Sequence, residues 1–84
     1  MIHFILYSRT YCHLCDDMLA ALRALEVAEP LSISVVDVDA DEVLVARYDE
    51  LVPVLVASRD EQSPQQLCHY FLDEAVVLAF ISQT

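Results

Sequence analysis

The sequence contains no glycine, no lysine and no asparagine. Loops that cradle phosphate groups need glycine, so this class of nucleotide site is excluded. Any turn with a positive φ must use a residue that carries a Cβ atom, which adopts this conformation at a cost. Because lysine is absent, the sequence has four arginines against 14 acidic residues, and the formal net charge is −10 at pH 7. This charge repels nucleic acids and anionic membranes, so neither is expected as a partner.

The composition is nevertheless apolar. Hydrophobic residues make up 57% of the 84 residues, and the mean hydropathy is +0.46. No apolar run approaches the ~18 residues of a membrane-spanning helix, so these residues indicate the core of one domain over residues 1–84. Residues 1–7 are apolar but lack the basic start and the cleavage site of a secretory leader. We therefore expect a cytoplasmic protein, and we expect it to be a monomer.

Four strands are predicted from short apolar or β-branched runs. They cover residues 2–7, 33–38, 54–57 and 66–70. The second strand is expected to be largely buried, because it is rich in β-branched residues. A helix between the first two strands implies that they pair in parallel, whereas the short link before the fourth strand implies that it pairs antiparallel with the third.

Three helices are predicted. The first covers residues 12–27 and ends before Pro30; its apolar residues recur at spacings of three and four, at Leu14, Met18, Leu22 and Leu25. Asp39 followed by Glu42 resembles a capping box and predicts a second helix over residues 40–48. Asp73 is the predicted N-cap of the last helix. The apolar face of that helix is predicted to hold Val76, Val77, Phe80 and Ile81. The order β-α-β-α-β-β-α describes an α/β fold with a central four-stranded mixed sheet.

Cys12 and Cys15 lie where the first predicted strand turns into the first predicted helix. Unpaired N–H groups and the positive end of the helix dipole favour thiolates there, and such cysteines have pKa values of about 3.5 to 7.5, against ~8.5 for a free cysteine. Cys12 is therefore the candidate nucleophile. Cys15, one turn further into the helix, is the candidate resolving thiol. In a cytosolic β-α-β context this spacing indicates a redox-active dithiol.

Other interpretations of these cysteines stay open. The two cysteines are also consistent with two small buried side chains in the core, or with half of a zinc site. Cys68 and His69 on the fourth strand would complete a zinc or iron-sulfur site, which would make the chain a non-enzymatic metal-binding or protein-binding module. If it binds no metal, Cys68 is expected to be a buried side chain that packs in the core. His13, if protonated, would stabilise a neighbouring thiolate.

Three stretches of the chain resemble the glutaredoxin-like branch of the thioredoxin superfamily, and the likeness extends over nearly the whole length. Residues 7–15 read YSRTYCHLC, which is similar to the glutaredoxin active-site entry. Residues 36–39 read VDVD, similar to the end of the second strand, and residues 51–55 read LVPVL, similar to the segment that bears the family's cis-proline. The chain looks closest to short bacterial glutaredoxin-like proteins.

The resemblance implies a thioredoxin-like fold and a thiol-disulfide oxidoreductase that serves cell redox homeostasis, with no metal and no organic cofactor. It implies that Cys12 and Cys15 are catalytic, and that Pro53 is cis and lies beside the Cys12 sulfur. The Val52 backbone would pair with an extended strand of the substrate. The residues expected to contact the substrate are Tyr11, His13, Val52, Pro53 and Arg9.

One departure from the family concerns glutathione. Glutaredoxins usually carry a glycine pair after the fourth strand, which lets glutathione approach the backbone, whereas residues 69–72 here read HYFL. Glutathione is also anionic, and only Arg9 and Arg47 lie near the expected groove. The electron donor is either glutathione or a reductase of the thioredoxin-reductase type. A protein reductase and a protein disulfide substrate with a basic face are therefore candidates beside glutathione, and a low-molecular-weight disulfide stays an alternative substrate.

Overall fold

The structure is a computed structural model that describes residues 2–25, 31–60 and 62–82. Its elements follow the predicted order β-α-β-α-β-β-α, with one short 3-10 turn added at Val38–Ala40. The strands are β1 (Ile2–Ser8), β2 (Leu31–Asp37), β3 (Val54–Arg59) and β4 (Gln65–His69). The helices are α1 (His13–Arg23), α2 (Glu42–Tyr48) and α3 (Glu74–Ile81). Among the described residues, no helix is long and apolar enough to cross a membrane.

The four strands form one sheet in the order β2-β1-β3-β4. β1 pairs in parallel with β2, and β3 pairs antiparallel with both β1 and β4, as predicted. In this register Tyr7 lies opposite Val36 on one side and Val54 on the other. The ends of β1, β2 and β4 and the start of β3 therefore share one edge of the sheet. We call this the loop edge; it carries residues 9–12, 38–41, 49–53 and 70–73.

The two faces of the sheet bury different cores. Alternation along β1 sends Phe4 and Leu6 to one face and Ile5 and Tyr7 to the other. The first face packs against α1 and α3. There the rings of Phe4 and Phe80 meet edge to face, with their centres 6.5 Å apart. The second face packs against α2 and the 3-10 turn. Its buried residues are Val38, Tyr48, Val54 and Val56.

The first helix is shorter than predicted. α1 ends at Arg23, because the Leu25 N–H donates to the carbonyl of Leu22 in a tighter, three-residue turn that closes the helix. Met18 and Leu22 are buried as expected, whereas Leu14 is exposed. The predicted end at residue 27, and Pro30 beyond it, lie outside the described residues.

The prediction that β2 is largely buried is wrong. No residue of β2 is fully buried, and Ser34 and Val35 are exposed, because β2 is an edge strand with a single neighbour. The strand also begins two residues earlier than expected, at Leu31, and ends at Asp37. Val38, predicted as its last residue, lies instead in the 3-10 turn.

The cap of α2 differs from the prediction as well. Asp41, and not Asp39, accepts the Val43 N–H at 2.8 Å, so the helix begins at Glu42. The reason is the 3-10 turn, which shifts the helix start by two residues and is itself capped by Asp37. The Asp73 cap of α3 is confirmed, with its carboxylate accepting a backbone N–H at 3.2 Å.

Smaller differences concern strand ends and one helix face. β3 continues past residue 57 to Arg59, and β4 ends at His69, one residue before the predicted end. On α3, Val77 and Phe80 are buried, but Val76 is exposed and does not belong to the apolar face.

Candidate active site

Cys12 and Cys15 are joined by a disulfide at the N-terminus of α1, with their Cα atoms 5.2 Å apart. Cys12 is the N-cap residue and has an extended backbone, while Cys15 lies within the first turn. The Cys15 N–H donates to the Cys12 Sγ at 3.1 Å. Cys12 is partly exposed and Cys15 is only 3% exposed. The two cysteines thus differ in access, and Cys12 is the more exposed of the two.

This arrangement favours negative charge on the Cys12 sulfur. A side chain at the N-cap normally supplies oxygen to one of the four orphan N–H groups of a helix start, and here sulfur takes that place. The same N–H group, together with the positive end of the helix dipole, stabilises a thiolate more than a thiol. The geometry therefore fits a nucleophile at Cys12 and a covered partner at Cys15.

Tyr11 and His13 flank Cys12, and both are exposed. Tyr11 is fully exposed and has a φ of 59°. Together with Asp60 and Tyr70, it belongs to the residues with positive φ that the structure describes. The expectation that such positions use residues with a Cβ atom is confirmed. The roles of Tyr11 and His13 in binding substrate stay predictions.

The Val52–Pro53 peptide bond is cis, as the resemblance implied. Pro53 is buried immediately before β3, on the same edge of the sheet as the cysteines. The N–H groups of Leu51 and Val52 both donate to the carbonyl of Tyr48, at 2.8 and 3.1 Å. The Val52 N–H is therefore already used within the chain, and the pairing of the Val52 backbone with a substrate strand stays a prediction.

Tyr70 holds the segment that contains Pro53, a role that the sequence did not indicate. Its backbone N–H donates to the Pro53 carbonyl at 2.9 Å, and its hydroxyl donates to the Glu50 carbonyl at 2.6 Å. Its φ is 64°, so this is a left-handed position held by a tyrosine. The sequence offers one signal for Tyr70, which is that the glycine pair usual after the fourth strand is missing. That departure marks the position as unusual, but it does not reveal the contacts of the tyrosine.

Arg9 is bound by two carboxylates. Its Nε and one terminal nitrogen each lie 3.0 Å from Asp39, and that same nitrogen lies 2.7 Å from Asp49. Hydrogen bonds to Asp49 and then to Asp39 raise the pKa of the guanidinium further. Arg9 thus ties together three loops of the loop edge. Its proposed contact with substrate stays a prediction, and its two partners were not identified from the sequence.

Cys68 does not join the cysteine pair. It packs against the core on the α1 side, and burial raises the pKa of its thiol. Among the residues described, no three histidine, cysteine or acidic side chains lie close enough together to hold a metal ion. Cys12, Cys15, Cys68 and His69 therefore form no common ligand set in this structure.

Comparison with known proteins identifies the family of the chain. Residues 3–82 match the glutaredoxin-like domain family (DUF836). No functionally curated protein matches the chain.

Solved structures give the same result. Protein Ne2328 from Nitrosomonas europaea is 38% identical, with a TM-score of 0.80 over 94% of this chain and 89% of its own. Target protein XcR50 from X. campestris is 28% identical, with a TM-score of 0.60 over 93% of each chain. Thioredoxin from Fasciola hepatica, at 20% identity and a TM-score of 0.67, covers 96% of this chain with 78% of its own and shows the fold. The fold is thioredoxin-like, its close cysteine pair points to redox function, and the chain belongs to the glutaredoxin-like domain family (DUF836).

Proposed function

We propose that the protein is a dithiol-disulfide oxidoreductase in which Cys12 is the nucleophile and Cys15 the resolving thiol. The observation that carries the proposal is the hydrogen bond from the Cys15 N–H to the Cys12 Sγ, at the N-terminus of α1. It stabilises the thiolate of the more exposed sulfur, which is the one that an incoming disulfide can reach.

The reaction consists of two exchange steps. The Cys12 thiolate attacks one sulfur of a partner disulfide, forms a mixed disulfide and releases the other partner sulfur as a thiolate, which takes up a proton. Cys15, once deprotonated, then attacks the Cys12 Sγ and releases the second partner thiolate. The partner gains two electrons and two protons, and the Cys12–Cys15 disulfide forms. A dithiol donor reverses these steps on this protein, and no organic cofactor is needed.

We further propose that the partner is a protein with a basic face and that the exchange takes place in the cytoplasm, where dithiols are kept reduced. The net charge of −10 supports a basic partner, because opposite charges speed the encounter of two proteins. Tyr11 and Leu14, on either side of Cys12, are exposed and offer apolar contact around the sulfur. Pro53 and the Val52 carbonyl would border the groove that receives the partner's extended segment.

Trapping of the mixed disulfide tests this function. Reduced Cys15→Ser is incubated with a cationic peptide that contains one disulfide, and the adduct is located by mass spectrometry. We expect an adduct on Cys12 that persists, because no resolving thiol remains. Cys12→Ser should give no such adduct, and Cys68→Ser, the same substitution outside the pair, should reduce the peptide like the wild type.

Two results would contradict the proposal. A persistent adduct on Cys68, with Cys12 unmodified, would assign the reactivity to the wrong thiol. Equal rates for the cationic peptide and an anionic peptide of the same length, at both low and high salt, would refute the basic partner but leave the exchange chemistry intact.

A further inference from the structure

A cavity of about 260 Å³ lies on the α2 side of the sheet. The seven residues of α2 span roughly 10 Å along the helix axis, whereas the seven residues of β1 span roughly 23 Å. The short helix therefore leaves part of this face of the sheet uncovered. The residues that matter in its lining are Ile5, Val56, Tyr7, Tyr48, Arg47 and Gln66.

Two tyrosines and an arginine meet at the cavity. The rings of Tyr7 and Tyr48 stack at 4.6 Å, and the Arg47 guanidinium carbon lies 5.4 Å from the centre of the Tyr48 ring. Tyr48 is only 6% exposed. Within the described part of the chain, neither tyrosine hydroxyl forms a hydrogen bond, and Arg47 forms no ion pair. Neither hydroxyl is fully buried and Arg47 is exposed, so all three groups are open to a ligand that enters the cavity.

The three polar groups are close enough to affect one another. The pKa of Tyr7 is raised, mainly by burial and further by Tyr48, while the positive charge of Arg47 acts in the opposite direction. Tyr7, Tyr48 and Arg47 all line the same cavity. These groups, with the Gln66 amide, can all donate hydrogen bonds, and the guanidinium can only donate.

We propose that this cavity binds a small organic carboxylate, with Arg47 and the two tyrosine hydroxyls holding the anion and Ile5 and Val56 contacting its apolar part. A guanidinium matches a carboxylate through two parallel hydrogen bonds. A volume equal to that of about eight or nine water molecules, at ~30 Å³ each, admits a compact ligand such as a substituted aromatic acid. The site is separate from the cysteine pair, so this inference does not depend on the proposed redox function.

The negative net charge does not exclude an anion here. Exposed charges more than about 8 Å away are largely screened at physiological ionic strength, and Arg47 is the only charged residue among the described residues that line the cavity. The apolar walls separate the carboxylate class from inorganic anions, because burial of the ligand body adds affinity that phosphate lacks.

Titration of the full-length, oxidised, ¹⁵N-labelled protein with benzoate tests the site by NMR. We expect saturating shifts of amide signals around Tyr7 and Val56, with a Kd in the millimolar range (on the order of 1 mM). Benzamide, the neutral isostere, should bind about tenfold more weakly or not at all, because it lacks the charge that Arg47 pairs with. Inorganic phosphate should also bind more weakly than benzoate.

Variants locate the effect. Arg47→Gln should weaken benzoate binding about tenfold, and Tyr48→Phe, which keeps the ring and removes the hydroxyl, about fivefold. Arg23→Gln removes the same charge at the end of α1, outside this cavity, and should bind like the wild type. The amide spectrum of each variant shows directly whether it is folded.

Several outcomes would overturn the proposal. The absence of saturable shifts with benzoate at about 20 mM would mean that no such site exists. Equal affinity for benzoate and benzamide would refute a carboxylate ligand, and tighter binding of phosphate than of benzoate would refute an organic one. If Arg47→Gln and Arg23→Gln weaken benzoate binding equally, the effect comes from the net charge of the protein and not from a site at Arg47.

Discussion

Tyr70 offers the sharpest test of how the loop edge is held together. Tyr70→Phe removes the hydroxyl that donates to the Glu50 carbonyl at 2.6 Å, but it leaves the ring and the backbone bond to Pro53 in place. A hydrogen bond contributes a net ~0.5 to 1.5 kcal/mol, and because this one is exposed we expect a loss of about 0.5 to 1 kcal/mol. For a domain of this size, that lowers the Tm by roughly 2 to 8 °C.

The measurement is thermal and urea unfolding of the oxidised protein, so that the disulfide is the same in every sample. With m near ~1 kcal/mol/M, the urea midpoint should fall by about 0.5 to 1 M while m is unchanged. Tyr11→Phe is the matched control, because Tyr11 also has a positive φ but is fully exposed. Equal unfolding midpoints for the two variants would refute the role given to the Tyr70 hydroxyl.

Three further predictions concern Asp41, Arg9 and Cys68. Asp41→Ala should lower the free energy of unfolding by about 1 kcal/mol, because it removes the N-cap of α2. Asp39→Ala removes only an exposed ion pair, so its loss of unfolding free energy should be smaller. Urea unfolding of the two variants measures this difference. Arg9→Gln should lower the Tm at low salt, and about 1 M NaCl should narrow the gap to wild type, because exposed ion pairs are screened; an unchanged gap would contradict this. In the reduced protein, alkylation of Cys68 should be slower than that of a free cysteine at neutral pH and should rise only at higher pH. The reason is that burial raises its pKa and so lowers the thiolate fraction at any given pH; mass spectrometry of the labelled site measures it.

The order of the elements could be predicted because each one carries its own local signal. Periodicity marked α1, β-branched runs marked the strands, and Asp73 marked the start of α3. Burial of β2 could not be predicted in this way. A β-branched strand looks the same in the middle of a sheet and at its edge, and the strand order, which the sequence does not state, decides the difference.

The predicted start of α2 was wrong for a related reason. Aspartates at three alternate positions, Asp37, Asp39 and Asp41, can each cap a turn, and the local sequence does not choose between them. The 3-10 turn decided the outcome. It uses Asp37 and Asp41 as caps, which leaves Asp39 for the ion pair with Arg9.

The cysteine pair of the candidate site was visible in the sequence, but the contacts around it were not. The spacing of Cys12 and Cys15 is local, and the resemblance supplied the cis peptide bond before Pro53. The contacts of Tyr70 and Arg9 join residues that lie 17 to 40 positions apart. Such contacts depend on the register of the sheet, which single-sequence patterns leave undetermined.

The central claim is that Cys12 is an activated nucleophile, and the rate of alkylation against pH tests it most directly. The reduced wild type, Cys12→Ser and Cys15→Ser are labelled over a range of pH, and mass spectrometry locates the label. We predict that Cys12 reacts fastest, with an apparent pKa well below the ~8.5 of a free cysteine, and that this fast phase is lost only in Cys12→Ser. If every thiol titrates like a free cysteine, or if none reacts in the folded protein, the fold stands but the proposed function does not.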